Sequence, residues 1–389
     1  MTLRGHGRAA AARVASAARD ARTMEARVNG VVSVAEFRDL ALEVIEPAAC
    51  DYIDGGAWDE LTLTENEAAW RRYALRPRVL VDVSRIDPST TILGGPAAFP
   101  VATAPMAAHG LAHPDGELAT ARAAAAAGIP FTLSTVSSRS IEEVAAAVPG
   151  GRRWFQLYTQ LDPGRTRSLV ERAAAAGYGA IIVTVDLPVL GYRERDRRSG
   201  FDLSVRLGNF ADDGPTHAHH GEPPADSGYE VLEEQLARNL TWESLATIRS
   251  WSSLPLVLKG VLTAEDARLA VDHGVDAIVV SNHGGRQLDR VPAAIDVLEE
   301  IVAAVPGTEL WVDGGVRRGL DIAIALALGA RGVLVGRPLL WALAAGGQAG
   351  VERALAILRE EFEIALALLG APTPADLTRS HVVARPGRT

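Results

Sequence analysis

Eight short apolar runs recur along the chain after about residue 100, and most are followed by an alanine-rich amphipathic segment. Segments of helical length lie at 117–127, 165–176, 264–272 and 320–328. Eight strands, each followed by a helix, predict a (β/α)8 barrel of the α/β class. A doubly wound open sheet also alternates, but no G-x-G-x-x-G follows the first run. The runs end near Ala104, Ser134, Tyr158, Asp186, Lys259, Ser281, Asp313 and Gly336.

The N-terminal region lies outside this repeat. Residues 34–52 have helical periodicity and predict helices packed against the barrel, so that 29–389 form a single domain. Residues 1–28 are rich in Ala and Arg and poor in acids, a composition that is typical of organelle transit peptides. We favour a disordered or loosely helical leader, because Ala and Arg are abundant along the whole chain.

A long polar segment, residues 193–240, separates the fourth predicted strand from the fifth. It is too long for an ordinary connection and is rich in Gly, Pro, Asp and His, which predicts a mobile lid. His217, His219 and His220 raise the alternative of a metal site, but no cysteine or ordered carboxylate pattern accompanies them. We therefore expect no metal.

Charge and cysteine content exclude several classes of protein. A formal net charge of −9 argues against non-specific nucleic-acid binding. Cys50 is the only cysteine, so no disulfide framework is possible and a reducing, cytoplasmic location is expected. No apolar run reaches the roughly 18 residues that span a bilayer, so we expect no membrane partner.

A nine-residue motif, SNHGGRQLD from Ser281 to Asp289, begins where the sixth predicted strand ends. Histidine can take a proton near neutral pH, and arginine can hold a carboxylate with two parallel hydrogen bonds. The two glycines between His283 and Arg286 allow a sharp turn and close approach to a ligand. The motif therefore predicts a base beside an anchor for a small organic acid.

Polar side chains stand at nearly every predicted strand end, where barrel enzymes carry their active sites. Glycine-rich backbone with arginine follows the last two strands, as DGGVRRG at Asp313 to Gly319 and GRP at Gly336 to Pro338. Barrels hold phosphate at these two loops. Either motif alone could be a tight turn with incidental arginines; together they predict a phosphate site.

These motifs resemble those of the FMN-dependent 2-hydroxy-acid oxidases and dehydrogenases, the family of glycolate oxidase, lactate oxidase and mandelate dehydrogenase. The resemblance covers about residues 32–385, and the segments 104–113 and 151–155 look most like the lactate oxidase branch. It implies FMN as cofactor, oxidation of an L-2-hydroxy acid to the 2-oxo acid, and a homotetramer. Besides the segments above, the matching motifs are LKG at Leu258 to Gly260, TVD at Thr184 to Asp186 and FQLY at Phe155 to Tyr158.

The resemblance assigns catalytic roles to individual residues. His283 corresponds to the base that takes a proton from the substrate while two electrons pass to the flavin, as a hydride or through a carbanion. Asp186 corresponds to the carboxylate that pairs with this histidine and favours the imidazolium. Lys259 corresponds to the lysine beside flavin N1 and O2, where its charge stabilises the reduced ring.

It also assigns the substrate and cofactor contacts. Arg286 and Tyr52 correspond to the groups that bind the substrate carboxylate, Tyr158 to the phenol near its hydroxyl, and Arg193 to an arginine at the mouth of the site. The remaining residues implied to contact FMN are Pro105, Met106, Ala107, Ser134, Gln156, Thr184, Ser281, Asp313, Gly314, Gly315, Arg317, Gly336 and Arg337.

Departures from the family concern the substrate. Val136 stands where relatives often place an aromatic residue over the substrate side chain, and Met106 occupies a position that varies between branches. A smaller residue at position 136 widens the pocket. We therefore expect a substrate larger than glycolate, either aromatic or of medium chain length.

Four alternatives remain at this point. An oxidase passes its electrons to O2 and forms H2O2, which we favour because the polar 193–240 segment lacks the apolar anchor of membrane-bound relatives. A dehydrogenase would pass them to a quinone or another carrier. A catalytically inactive flavin-binding barrel, or a relative of inosine-monophosphate dehydrogenase, belongs to a different class; the latter needs a cysteine after a barrel strand, whereas Cys50 precedes the barrel.

Overall fold

Twelve strands are found in the described part of the computed structural model, which comprises residues 23–203, 205–210 and 235–385. In chain order they are β1 (Tyr73–Leu75), β2 (Thr90–Ile92), β3 (Gly95–Ala97), β4 (Val101–Thr103), β5 (Phe131–Ser134), β6 (Arg153–Leu157), β7 (Ile181–Thr184), β8 (Leu256–Val261), β9 (Ala277–Val280), β10 (Glu309–Val312), β11 (Gly332–Val335) and β12 (Val382–Ala384). The eight from β4 to β11 correspond to the eight predicted runs, and each predicted end lies within two residues of the observed one.

β4 to β11 form one parallel sheet, hydrogen-bonded in the order β4-β11-β10-β9-β8-β7-β6-β5. The two outer strands of this order meet: the Thr103 amide donates to the Pro130 carbonyl at 3.1 Å, and Met106 forms a parallel bridge with Leu133. The sheet therefore curls into a nearly closed barrel. The predicted (β/α)8 fold is confirmed, and the open-sheet alternative is wrong.

Three of the named helices precede the barrel strands, and the others alternate with the strands and cover them. In chain order the helices are α1 (Glu36–Leu42), α2 (Pro47–Asp54), α3 (Leu61–Ala68), α4 (Glu117–Ala126), α5 (Ile141–Ala147), α6 (Pro163–Ala175), α7 (Glu194–Ser199), α8 (Trp242–Ser250), α9 (Ala264–Asp272), α10 (Ala294–Ala304), α11 (Gly319–Ala327) and α12 (Arg337–Leu369). Because both faces of the sheet are covered, its strands are buried throughout and read as continuous apolar runs.

The amino-terminal end of the barrel is filled by large side chains. The indole rings of Trp154 and Trp311 meet edge to face with centroids 5.4 Å apart, and Ile92 of the β2–β3 hairpin is fully buried against them. This end is a packed apolar plug. Any ligand site must therefore lie at the opposite, carboxyl-terminal end.

The predicted N-terminal helical extension is present and is divided in two. Pro47 begins α2, and the Glu46 carboxylate accepts hydrogen bonds from the amides of Ala48 (3.0 Å) and Ala49 (3.2 Å). Residues 23–30 are also helical, so the expected leader boundary at residue 28 falls inside a helix whose Val28 is buried. Residues 1–22 lie outside the described part of the chain.

Helix α3 lies on the loops that follow β9 and β10. The Asp289 carboxylate accepts hydrogen bonds from the first amides of α3, at Leu61 (3.3 Å) and Thr62 (2.7 Å). Farther along the helix, the amides of Asn66 and Asn282 form a reciprocal buried pair with distances of 2.8 and 2.7 Å. The N-terminal extension therefore forms part of the wall at the barrel mouth.

Described parts of the 193–240 segment pack onto the barrel mouth. The segment begins with α7, Phe201 and Leu203 are buried, and a short 3-10 turn follows at Gly208–Phe210. Its other end returns at residues 235–240, where the Ala237 amide donates to the Thr159 carbonyl at 2.9 Å. Residue 204 and residues 211–234, with the three histidines, lie outside the described residues, and the mobility of the segment stays a prediction.

The described residues contain neither a membrane-spanning helix nor a metal-binding cluster. None of the helices between residues 23 and 385 that the structure describes is long and apolar enough to cross a membrane. Within the same ranges, no group of three or more His, Cys, Asp or Glu side chains is arranged to hold a metal ion.

Candidate active site

A cleft that is partly open to solvent lies at the carboxyl-terminal end of the barrel. Most of the residues predicted for the site line it, and they come from α2, from the loop after β7 and from the ends of the other seven barrel strands. These residues are Tyr52, Pro105, Met106, Ala107, Ser134, Val136, Tyr158, Arg193, Lys259, His283, Arg286, Asp313, Gly314, Gly315, Arg317, Gly336 and Arg337. Asp186, Gln156, Thr184 and Ser281 are not part of this lining.

The His283–Asp186 pair is the chemical centre of the cleft. Nδ1 of His283 lies 2.7 Å from Oδ1 of Asp186. An ionised carboxylate only accepts hydrogen bonds, so Nδ1 carries the proton and the Nε2 lone pair of the neutral ring faces the cleft. His283 has a φ of +59°, a left-handed conformation that is costly for a non-glycine residue. The Ser281 hydroxyl holds it there by accepting the His283 amide at 3.0 Å.

Burial and neighbouring charges tune this pair. Burial lowers the pKa of His283 below its usual value; Asp186 opposes this shift and the charge of Lys259 adds to it. Burial alone would raise the pKa of Asp186, but His283 and Lys259 together hold it below its usual range. The imidazole is therefore neutral near pH 7 and beside a carboxylate, which is the state that a general base requires.

Tyr158 stands over the free nitrogen of the base. Its hydroxyl lies 3.3 Å from His283 Nε2, and the two rings are nearly parallel with centroids 6.5 Å apart. Burial raises the pKa of Tyr158, and Asp186 raises it further, so the phenol stays protonated. Tyr158 can therefore donate a hydrogen bond to a ligand oxygen that lies beside His283.

Arg286 and Tyr52 are stacked at the edge of the cleft. The guanidinium carbon of Arg286 lies 4.8 Å from the centroid of the Tyr52 ring, and Nη1 donates to the backbone carbonyls of Tyr52 (2.6 Å) and Gly55 (2.8 Å). Phe201 stacks with the Tyr52 ring at 4.5 Å. Arg193, which is buried, donates through Nε to the Arg286 carbonyl at 3.3 Å. Two guanidinium groups and a phenol thus surround a place where a carboxylate would be held.

Lys259 brings a buried positive charge to the floor of the cleft. Its Nζ donates to the Ser281 hydroxyl at 2.9 Å and lies 3.4 Å from the Asp313 carboxylate. The strand bulges just after it, and Gly260 has a φ of +112°. A Cβ at position 260 would lie 2.7 Å from the Asp186 side chain, so a glycine is needed here.

Gln156 and Thr184 offer unused polar atoms at the strand ends. The carbonyl oxygen of Gln156 accepts the Ser134 hydroxyl at 3.1 Å, but its Nε2 is buried with no partner in the described part of the protein. The hydroxyl of Thr184 is likewise buried and unpartnered among those residues, and it faces a neighbouring cavity. Buried polar groups normally have partners. The Gln156 amide fits the polar edge of the flavin ring that the sequence resemblance implies.

Two buried arginines lie at the predicted phosphate end. Burial lowers the pKa of Arg317, and it lowers that of Arg337 to about 9, to which Arg286 and Arg317 also contribute. A bound phosphate would add negative charge beside these two guanidinium groups. Arg337 also donates to three backbone carbonyls, those of Ile53, Gly55 and Gly284, at 2.9–3.0 Å.

The glycine loop after β10 allows α3 to close this end of the cleft. Gly314 and Gly315 have φ of +89° and +77°. A Cβ on Gly315 would lie 1.8 Å from the Asn66 carbonyl oxygen. Glycine is therefore required where the loop passes α3, and glycine-rich loops of this kind hold phosphate in other barrels.

The sequence motifs assign no role to three polar residues that hold the site together. Gln287 donates to the carbonyls of Asp186 (3.1 Å) and Val189 (2.8 Å) and accepts from Arg193 (3.3 Å), so it joins the loops after β7 and β9. Asn282 pairs with Asn66, as described above. Asn282 and Gln287 lie inside the nine-residue motif, whereas no sequence signal marks Asn66.

Comparisons with known proteins agree with this geometry. Residues 41–384 match the family described as FMN-dependent dehydrogenase. The L-lactate oxidase of Nostoc sp. is 50% identical over 362 residues, covering 91% of this chain and 99% of that protein. Glycolate oxidase 1 of Zea mays is 48% identical, covering 91% and 96%. The crystal structure of mandelate oxidase with (S)-4-hydroxymandelic acid superimposes with a TM-score of 0.85 at 46% identity, covering 90% of this chain and 98% of that one.

The His283–Asp186 pair predicts a defined pH dependence. Only neutral His283 can accept a proton. Because the pKa of His283 is lowered, kcat/KM should stay near its maximum as the pH falls below about 6.5, the usual pKa of a histidine. Asp186→Asn removes the charge that raises this pKa, so the acid limb should move to still lower pH. It should also reduce kcat by about 100-fold, because the imidazolium loses its counter-charge. Asp272→Asn, on the exposed side of α9, is the control. A limb that moves to higher pH contradicts the assignment.

The phosphate assignment predicts a selective loss of cofactor binding. Arg317→Met should weaken FMN binding by about 10- to 100-fold, the size of a lost charge-assisted hydrogen bond, and leave riboflavin binding unchanged. Dissociation constants from flavin fluorescence measure both. Arg318→Met is the matched control, because Arg318 is half-exposed and pairs with Glu361. Equal weakening of FMN and riboflavin would place Arg317 away from the phosphate.

Proposed function

This chain belongs to the family of FMN-dependent dehydrogenases, and from that premise we propose that it oxidises an L-2-hydroxy acid to the 2-oxo acid, with O2 as electron acceptor. One observation carries the proposal. A neutral histidine backed by a buried carboxylate, a protonated phenol and a carboxylate-binding arginine line the same cleft. That set matches the three groups of a 2-hydroxy acid: the α-carbon with its hydrogen, the hydroxyl and the carboxylate.

In this proposal the side chains divide the work as follows. Arg286 and Tyr52 bind the substrate carboxylate, with Arg193 beside them. The Tyr158 phenol donates to the substrate hydroxyl and directs it toward His283. His283 Nε2 takes a proton from the substrate. The resulting imidazolium is stabilised by Asp186, whose Oδ1 lies 2.7 Å from Nδ1 of His283.

The cofactor supplies the electron chemistry. When bound, FMN accepts the two electrons that leave the substrate. Pro105, Met106 and Ala107 line the cleft where they can face the ring, and Lys259 provides positive charge that favours its anionic reduced form. With O2 as acceptor, the overall reaction would convert one hydroxy acid and one O2 into one 2-oxo acid and one H2O2.

Oxygen as acceptor is supported by the relatives, which are an L-lactate oxidase, a glycolate oxidase and a mandelate oxidase. The alternative is a dehydrogenase that passes electrons to a quinone or another carrier. A reducing, cytoplasmic location and a homotetramer are parts of the same proposal. The first is supported by the single cysteine, Cys50, and the second by the exposed apolar run Val79-Leu80-Val81.

The proposal predicts a colour change that can be followed directly. The purified yellow protein should bleach anaerobically on adding a 2-hydroxy acid, and mixing with air should restore the colour within seconds and release H2O2. His283→Ala should bleach at least 100-fold more slowly, because no base remains. Slow reoxidation would exclude the oxidase in favour of the dehydrogenase. A parent protein that never bleaches would support an inactive flavin-binding barrel.

For the substrate we propose an aromatic or medium-chain 2-hydroxy acid. Val136 is buried and lines the cleft together with Met106, Leu187, Leu190 and Leu236, which form an apolar wall. Position 136, where relatives often place an aromatic residue over the substrate side chain, carries only a valine here. This wall can take up the side chain of a bulky acid.

Rates for a series of acids test this substrate class. kcat/KM for mandelate or 2-hydroxyoctanoate should exceed that for glycolate by about tenfold or more, since each buried methylene adds roughly 1 kcal/mol. Val136→Trp should remove this advantage by filling the pocket, while Val136→Ile should reduce it only partly. A clear preference of the parent for glycolate would disprove the proposal.

A further inference from the structure

Asn209 binds the loop that carries Val136 from outside the cleft. It lies in the 3-10 turn at Gly208–Phe210, within the segment after β7, and is only 5% exposed. Its Nδ2 donates to the carbonyls of Ser134 (3.2 Å) and Thr135 (2.9 Å) and to the Ser137 hydroxyl (3.0 Å). Its Oδ1 accepts the Ile141 amide at 2.9 Å. A single side chain thus bonds three backbone groups and one hydroxyl in the turn between β5 and α5.

Neighbouring contacts keep Asn209 itself in place. The Gly208 amide donates to the Ser137 carbonyl at 2.9 Å, and the approach is so close that a Cβ on Gly208 would lie 2.3 Å from the Arg139 backbone. Arg172 of α6 donates to the Asn209 carbonyl at 2.9 Å while it pairs with Glu142 of α5. The turn that carries Asn209 is therefore fixed on both sides.

The bound loop is the part of the site that meets the substrate side chain. Ser134 ends β5 and residues 135–137 follow it; Ser134 and Val136 line the cleft. The Val136 carbonyl accepts the Ala108 amide at 2.8 Å, and the Thr135 hydroxyl donates to the Gln156 carbonyl at 2.7 Å. These bonds hold the loop from the barrel side. Asn209 holds it from the segment after β7.

We propose that Asn209 is a positioning residue that fixes Val136 and thereby sets the size of the acid side chain that the site accepts. This inference rests on the proposed function. Small acids are held through their carboxylate and hydroxyl by Arg286, Tyr52 and Tyr158, none of which Asn209 contacts. A bulky side chain also needs the Val136 wall. Loss of Asn209 should therefore raise KM for bulky acids and leave kcat for glycolate nearly unchanged.

The test compares two variants with a matched control. Asn209→Ala removes all four side-chain bonds, and Asn209→Asp keeps the acceptor for Ile141 but loses the donors. Arg152→Met is the control, because Arg152 also donates three bonds to backbone carbonyls but at the opposite end of the barrel. Both Asn209 variants should lower the mandelate-to-glycolate ratio of kcat/KM about tenfold through KM. The control should keep the ratio of the parent within about twofold.

A binding measurement separates this inference from the proposed function. Benzoylformate and glyoxylate, the corresponding 2-oxo acids, are titrated into the flavin-loaded protein and followed by the change in its absorbance. The Asn209 variants should lose affinity for benzoylformate only. This readout stands even if the parent oxidises no acid, which would refute the function alone. Equal losses for both ligands, or an unchanged ratio, would overturn the role of Asn209; if the alanine variant does not fold, the aspartate variant decides.

Discussion

The hydrogen bond between His283 and Asp186 is the interaction around which the barrel mouth is built. The two residues follow β9 and β7, so the bond reaches across β8. Strand β8 makes room by bulging at Gly260, where any side chain would strike Asp186. Gln287 then joins the same two loops a second time through the Asp186 carbonyl. Position and protonation of the base are thus set by one arrangement of three neighbouring strands.

Around this pair the cleft collects several buried cations. Lys259 has Asp313 and Arg317 has Glu67, but Arg337 relies on backbone carbonyls, and its pKa falls to about 9. Burying cations without full compensation is costly. That cost is consistent with the proposed function, in which the site takes a carboxylate at one end and a phosphate at the other.

The sequence was sufficient for the barrel and for the residues that converge on the cleft, because both follow from local patterns. Buried parallel strands read as apolar runs, and strand ends in a barrel share one face. Contacts between distant segments could not be predicted in this way. Three of these contacts join segments that no periodicity relates. They are the Asn66–Asn282 pair, the stacking of Tyr52 with Arg286 and Phe201, and the hydrogen bonds of Asn209 to the loop that carries Val136. Helix boundaries could not be predicted from periodicity either. Residues 34–52 have helical periodicity throughout, but Pro47 and the Glu46 cap divide that stretch into two helices.

The Asn66–Asn282 pair has a consequence for how the protein comes to be made. Its partners are 216 residues apart in the chain, and Asp289 caps α3 across a similar separation. Contacts of such sequence separation form late, and during synthesis α3 leaves the ribosome long before the loops on which it docks. Helix α3 can therefore dock only after the last third of the barrel has been translated. The wall at the predicted phosphate end of the cleft is likewise complete only after the loops that follow β9 and β10 have been made.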